Sequence, residues 1–245
     1  MSAPVRGQNF THQIANSLGV AIVTGVYSAD NPIPIEAELC ERFDASRSIV
    51  REAVKMLTAK GLVSSRPRIG TRVEPEANWN MLDPDVLGWL LERKFSPALL
   101  MEFTEFRLSV EPGAAMLAAR MAGPSEKKAL VQAIARMQAA DEGHDDVLDS
   151  DIAFHVAVLH ASRNRFYAQL TGFIVTALRI SIRTTNRYKG VHANVGDHKK
   201  VADAIIAGRA TAAGEAMRKI IQEVMDLIHS REELQAGRRA ANSGR

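Results

Sequence analysis

The chain has 245 residues, 46% hydrophobic and 24% charged, with a formal net charge of +3. That length admits one large domain or two modest ones, and that composition excludes extensive disorder. The single cysteine, Cys40, excludes an intramolecular disulfide framework and a cysteine-rich zinc site. No apolar run approaches the roughly 20 residues of a membrane-spanning helix. The segment MSAPVRGQNF has no apolar core of signal-peptide type, so a reducing cytoplasm and no membrane partner are expected.

In chain order, Phe10, Ile14, Leu18 and Ile22 recur every four residues and predict a first helix ending near Gly25. Asn31-Pro32-Ile33-Pro34 is a loop, because proline breaks the helical hydrogen-bond ladder. A short helix over Glu36–Phe43 follows, then a turn at Asp44-Ala45. Ser46 is placed to cap a third helix through Lys60, with Gly61 just beyond its end. Leu62–Ser65 and Thr71–Val73 read as two short strands around the Arg-rich turn 66–70. This order is that of a winged helix-turn-helix. Beyond Asp83 helical periodicity dominates, with breaks at Lys94–Pro97, Gly123–Ser125, Asp141–Asp146, Arg163-Asn164, Lys189–Gly196 and Gly208. Roughly seven helices in an antiparallel bundle are expected. The fold class is thus mainly α, a winged helix-turn-helix plus an all-α bundle. The expected organisation is an arm over 1–9, a DNA-binding domain over 10–76, a linker over 77–84, a helical domain over 85–235 that senses an effector and dimerises, and a flexible tail over 236–245.

Charge is unevenly spread. From Arg42 to Arg72 there are eight Lys/Arg against two acids, Asp44 and Glu52, a local balance of +6. A cationic cluster inside a nearly balanced chain suits a phosphate-binding surface. On the third helix Arg47, Arg51 and Lys55 fall four apart, on a different face from Val50, Val54 and Leu57. A helix fits the major groove, where arginine bonds guanine O6 and N7 in bidentate fashion. Ser48 suits a phosphate and Ile49 a thymine methyl, while Arg66 and Arg68 suit phosphate or the minor groove. Charge spacing alone also describes a solvated cationic face.

Asp151 and His155, four apart, share a helix face, and His198 opens a later helix. Together they suit a divalent metal, or simply a helix-capping Asp and a core His. Arg107 lies in an otherwise apolar helix and can clamp a carboxylate or pair with Glu111 one turn on. Thr176, Arg179 and Arg183 follow at helical spacing. The tryptophans of Asn78–Leu90, Trp79 and Trp89, are placed to anchor a helix on the bundle.

The residues Pro34-Ile35-Glu36-Ala37-Glu38-Leu39, Ser46–Val54, Leu57, Lys60-Gly61-Leu62-Val63 and Gly70-Thr71-Arg72-Val73 resemble the DNA-binding domain of the GntR family of bacterial regulators. The resemblance implies operator DNA as partner, with Arg47, Ser48, Ile49 and Arg51 as readers and Pro67 and Arg68 at the wing tip. Ala37 stands where many relatives carry an arginine. Asp151, Phe154, His155, Asn164, His198, Ala204-Ile205 and Gly208 resemble the FCD effector domain of the FadR subfamily. Many FCD domains hold a metal such as zinc through one Asp and three His. Asp151, His155 and His198 match three of these positions. The fourth falls on Ile220, which cannot coordinate, and His192 is poorly placed to substitute. The segment 78–90 resembles galactonate-operon repressors. The resemblance therefore implies a homodimeric repressor of a sugar-acid operon, with Arg107, Asp151, His155, Thr176, Arg179 and His198 binding an aldonate such as galactonate. Another carboxylate (a uronate, a lactate-like hydroxy acid, an acyl group) is the alternative effector. A metal-dependent enzyme is the competing class, but no nucleophile elbow, phosphate loop or HExxH accompanies the Asp/His set.

Overall fold

The structure is a computed structural model that describes residues 6–66, 70–93, 96–189 and 194–243. The chain divides into two compact units, Met1–Phe95 and Ser96–Arg245.

In the first unit, α1 (Arg6–Val23) buries Ile14, Leu18 and Ile22, the stripe expected from their spacing. It begins at Arg6, so the expected arm over 1–9 is partly helix. Gly25 follows with φ +78°. α2 (Glu36–Phe43) and α3 (Arg47–Ala59) are joined through Asp44, whose φ of 47° turns the chain sharply. Ser46 precedes α3 with extended backbone, but its hydroxyl bonds the Ser48 hydroxyl (2.9 Å) instead of a helix N–H. Val50, Ala53, Val54 and Leu57 fill the space between α3 and its neighbours. Gly61 is required twice over: its φ is +76°, and a Cβ there would lie 2.3 Å from the Asn78 carbonyl oxygen. Strands β1 (Val63–Arg66) and β2 (Gly70–Val73) pair antiparallel, with Val63 opposite Val73.

The segment expected to start the effector domain belongs here instead. A turn of 3₁₀ helix (Glu76–Asn78) leads to α4 (Pro84–Arg93), which packs on α1. The Trp89 ring covers Gly19, where a Cβ would lie 2.3 Å from it, and its Nε1 donates to Asn16 Oδ1 (2.6 Å). Lys60 Nζ meets Asp83 and Asp85, each at 2.8 Å. The boundary therefore falls between 95 and 96 instead of between 84 and 85, and Trp89 anchors its helix to α1 of the winged helix. Periodicity shows that a helix has an apolar face, not which partner buries it.

The second unit holds seven helices among the described residues: α5 (Pro97–Met121), α6 (Pro124–Asp141), α7 (Val147–Ala161), α8 (Arg165–Gln169), α9 (Thr171–Lys189), α10 (Val195–Ile206) and α11 (Ala210–Ser243). Expected breaks fall at Gly123, at Gly143 (φ +81°), at Arg163 (φ 51°) and at Gly208 (φ +73°). The break between α8 and α9 falls at Leu170, two residues before Gly172, and is not among the expected ones. α11 runs to Ser243, so helix enters the segment expected to be a flexible tail. Phe154 and Val158 of α7 centre a core completed by Leu130, Val201, Ile205, Met217 and Ile221. α5 and α11 approach closely through small residues: Ala115 and Ala118 of α5 and Ala213 of α11 are fully buried.

Candidate functional site

Two clusters carry chemistry, one in each unit. In the first, the apolar side of α3 is sunk in the core, so its opposite side is presented outward. Arg47, Ser48 and Arg51 are exposed on its first two turns and Ile49 is half-buried. Arg51 is paired with Glu36, the first residue of α2: Nη2 lies 3.2 Å from Oε2 and Nε 3.5 Å from Oε1. Bonding to Glu36, more than its charge, raises the Arg51 pKa. Arg72 is exposed on β2. Arg66 ends β1, its side chain outside the described ones, and Arg68 lies outside the described residues.

The second cluster is buried where α5, α7 and α10 meet. Arg107, Glu111, Asp151, His155 and His198 are each no more than 5% exposed. Arg107 Nε donates to Glu111 Oε1 (2.5 Å), and its Nη2 lies 3.4 Å from His155 Nε2. Glu111 Oε2 faces His155 Nδ1 at 2.5 Å. His198 Nδ1 donates to the Asn194 carbonyl oxygen at 2.8 Å. Both rings are thus tied back through Nδ1, and both Nε2 atoms face Asp151 Oδ1, at 3.4 Å for His155 and 3.1 Å for His198.

The electrostatics follow from these contacts. Burial pushes the Glu111 carboxyl up, but Arg107 and His155 beside it prevail and hold it at about 2. Burial pushes His155 down, yet the Glu111 carboxylate, helped by Asp151, carries it up to about 9. Asp151 is held well below the usual carboxylate range by the two imidazoles, against its own burial.

Asp151 Oδ1 and His198 Nε2 are buried and make no hydrogen bond. In the tautomer that donates Nδ1–H to Asn194, His198 Nε2 presents a lone pair toward the Asp151 carboxylate, and a cation between them would satisfy both atoms. Asp151, His155 and His198 offer ligand atoms all within 4.8 Å of one another. One carboxylate and two imidazoles, each imidazole donating its other N–H to an oxygen, form a donor set suited to zinc or a similar divalent ion. Ile220 sits on α11 in the apolar core, where it supplies no fourth ligand. His192 lies outside the described residues.

The remaining expected residues are not all gathered. Thr176 is half-buried on α9. Arg179, also on α9, is 40% exposed and paired with Asp149 at 3.0 Å. The Arg183 side chain is outside the described ones. Glu111, expected only as a partner of Arg107, is also the anchor of His155, 44 residues away; nothing local in the sequence signals that contact.

The pattern described as bacterial regulatory proteins, gntR family, matches residues 10–73, and the FCD domain matches residues 102–223. The galactonate operon transcriptional repressor of Escherichia coli K12 is 36% identical over 217 residues, covering 87% of this chain and 94% of that protein. The chain belongs to the GntR family. The uncharacterized HTH-type transcriptional regulator YieP of Escherichia coli K12 is 34% identical, over 88% of this chain and 94% of that protein. A solved chain of Lar, described as controlling expression of the Listeria monocytogenes agr system, shares the fold with a TM-score of 0.57 at 17% identity, covering 94% of this chain and 99% of that one. The family and the two Escherichia coli relatives are transcription regulators, so the Asp/His/His cluster is not an enzyme's catalytic centre. GntR regulators bind operator DNA and, through the FCD domain, small-molecule effectors. No helix of the described residues is long and apolar enough to cross a membrane.

Proposed function

We propose that this GntR regulator is a cytoplasmic homodimeric repressor of a sugar-acid catabolic operon, released from its operator by an aldonate such as galactonate. The buried Arg107–Asp151–His155–His198 cluster carries this reading, supported by the likeness to a galactonate operon repressor. Arg47 and Arg51 read guanines from the first turns of α3, with Ser48 and Ile49 beside them and the β1–β2 wing, including Arg66 and Arg68, on the phosphate backbone. A two-fold symmetric dimer then requires two half-sites.

Asp151, His155 and His198 hold a divalent cation such as zinc. When bound, the cation supplies a positive centre for a carboxylate or hydroxyl oxygen. Arg107 adds cationic character on the α5 side, and Thr176 a hydroxyl from α9. Glu111 and the Asn194 carbonyl fix the two rings so that both Nε2 atoms stay aimed at the same point. An effector acts by binding one conformation better than another, and that differential affinity is what weakens the grip on DNA.

The test is a thermal-shift screen of galactonate against a uronate, lactate and an acyl-CoA, followed by a mobility-shift assay with operator DNA. Galactonate is expected to raise the melting temperature and to release the operator, and Arg107→Ala to abolish both responses. A shift by lactate or acyl-CoA alone would overturn the aldonate reading and leave the regulator class intact.

A further inference from the structure

We infer that Glu36 is a specificity-determining residue: by occupying one edge of the Arg51 guanidinium, it commits that arginine to reading guanine and withholds it from phosphate. This inference rests on the proposed operator-reading role of α3.

A guanidinium has two edges that bond in bidentate fashion, one formed by Nε with a terminal nitrogen, the other by the two terminal nitrogens. Glu36 takes the first edge, through Nε–Oε1 at 3.5 Å and Nη2–Oε2 at 3.2 Å. Among the described residues no other hydrogen bond to the Arg51 guanidinium is present, so the Nη1/Nη2 edge is available. That edge can bond O6 and N7 of one guanine. The carboxylate comes from the N-terminal residue of α2, fifteen positions back, so the helix-turn-helix fold itself delivers it.

The pair is open to solvent, with side chains 62% and 43% exposed. In free protein it is therefore a weak, salt-screened contact. Its consequence comes on DNA. A bare arginine at the groove mouth swings freely to the nearest phosphate, a contact that is attractive on every sequence. With Glu36 attached, approach to a phosphate brings one anion against another, while approach to guanine through the free edge does not. The carboxylate thus subtracts from binding to random DNA and stiffens the side chain for the one contact that carries sequence information.

The experiment compares full-length wild type, Glu36→Gln, Arg51→Ala and Glu41→Gln for affinity to operator and to random duplex over a range of salt. Glu41 is an exposed acid on the same helix, so Glu41→Gln makes the same change in net charge. Glu36→Gln is expected to lower the operator-to-random affinity ratio roughly tenfold, the scale of a weakened bidentate base contact. It should also steepen the salt dependence on random DNA by about one phosphate contact. Glu41→Gln should leave the ratio unchanged. An equal change on both duplexes in Glu36→Gln would overturn the inference, since Glu36 would then act only through net charge. So would a matching drop in ratio in Glu41→Gln. If Arg51→Ala keeps full operator affinity, the reading role of Arg51 itself fails, and that outcome is distinct from a normal Arg51 with an indifferent Glu36.

Discussion

Among the arginines that hold a glutamate, Arg51 and Arg107 make pairs that differ in almost everything else. Arg51 meets Glu36 at 3.2 Å with its side chain 62% exposed. Arg107 meets Glu111 at 2.5 Å with its side chain 3% exposed. On the surface, water and salt screen the attraction, and fixing two long side chains offsets most of what remains. In the interior, the charges have lost their hydration and depend on one another, so removing either partner strands the other. The same pair of residue types therefore makes an exposed group with one edge left open to a partner in one unit and a fixed electrostatic scaffold in the other.

The largest effect expected from this contrast is on folding. Glu111→Ala leaves the buried Arg107 guanidinium without its carboxylate and His155 without its anchor, and an uncompensated buried charge costs about 3–5 kcal/mol. Denaturant unfolding of the full chain measures this. Adding Arg107→Met should recover part of the loss, because the stranded cation is then gone. A single variant with an unchanged midpoint would show that the cluster is hydrated in solution and that the contrast with Arg51 is one of degree only.

The metal comes next. If Asp151, His155 and His198 hold a cation, protein with zinc at a hundredfold excess over its dissociation constant should be more stable than chelator-treated protein by about 2.7 kcal/mol. His198→Ala should melt at the same temperature with and without zinc. Equal melting of wild-type protein in zinc and in chelator would sink the metal assignment and leave the Asp151–His198 contact in need of a shared proton.

A third variant asks whether the first unit is simply tolerant. Gly19→Ala places a methyl 2.3 Å from the Trp89 ring. Overpacking of this kind costs about 1–3 kcal/mol, while leaving glycine returns up to roughly 1 kcal/mol of helix propensity. A net loss of about 1–2 kcal/mol is expected in the unfolding of this unit. An unchanged or raised melting temperature would mean that α4 does not press on α1 in solution.

How far these sites were legible in the sequence follows the same division. The α3 surface is a local feature: Arg47, Arg51 and the buried stripe Val50, Val54 and Leu57 are set by helical spacing, and the loop glycines and prolines fix the elements around them. The buried cluster is tertiary. Asp151 and His155 share a turn of α7 and were visible as a pair, but His155 reaches Glu111 only because α5 packs on α7. Arg179 is also tertiary: helical spacing puts it with Thr176, and only the fold pairs it with Asp149. α4 failed for the same reason, since an amphipathic stripe is equally content against either unit until Trp89 finds Gly19.

The smallest expected effect is the most discriminating. Arg51→Ala should leave the melting temperature of the protein unchanged, because the side chain is exposed and its one ion pair is screened. Operator affinity in the same variant should fall by roughly tenfold or more, the scale of one bidentate guanine contact. The zero in stability matters because it separates the two units' uses of charge: Gly19→Ala would show that the first unit responds to injury, so an unmoved melting curve in Arg51→Ala cannot be put down to insensitivity. If Arg51→Ala lowers the melting temperature as far as Glu111→Ala does, the exposed pair is a structural element like the buried one. The loss of DNA binding would then be a consequence of folding, and the reading role would have to move to Arg47.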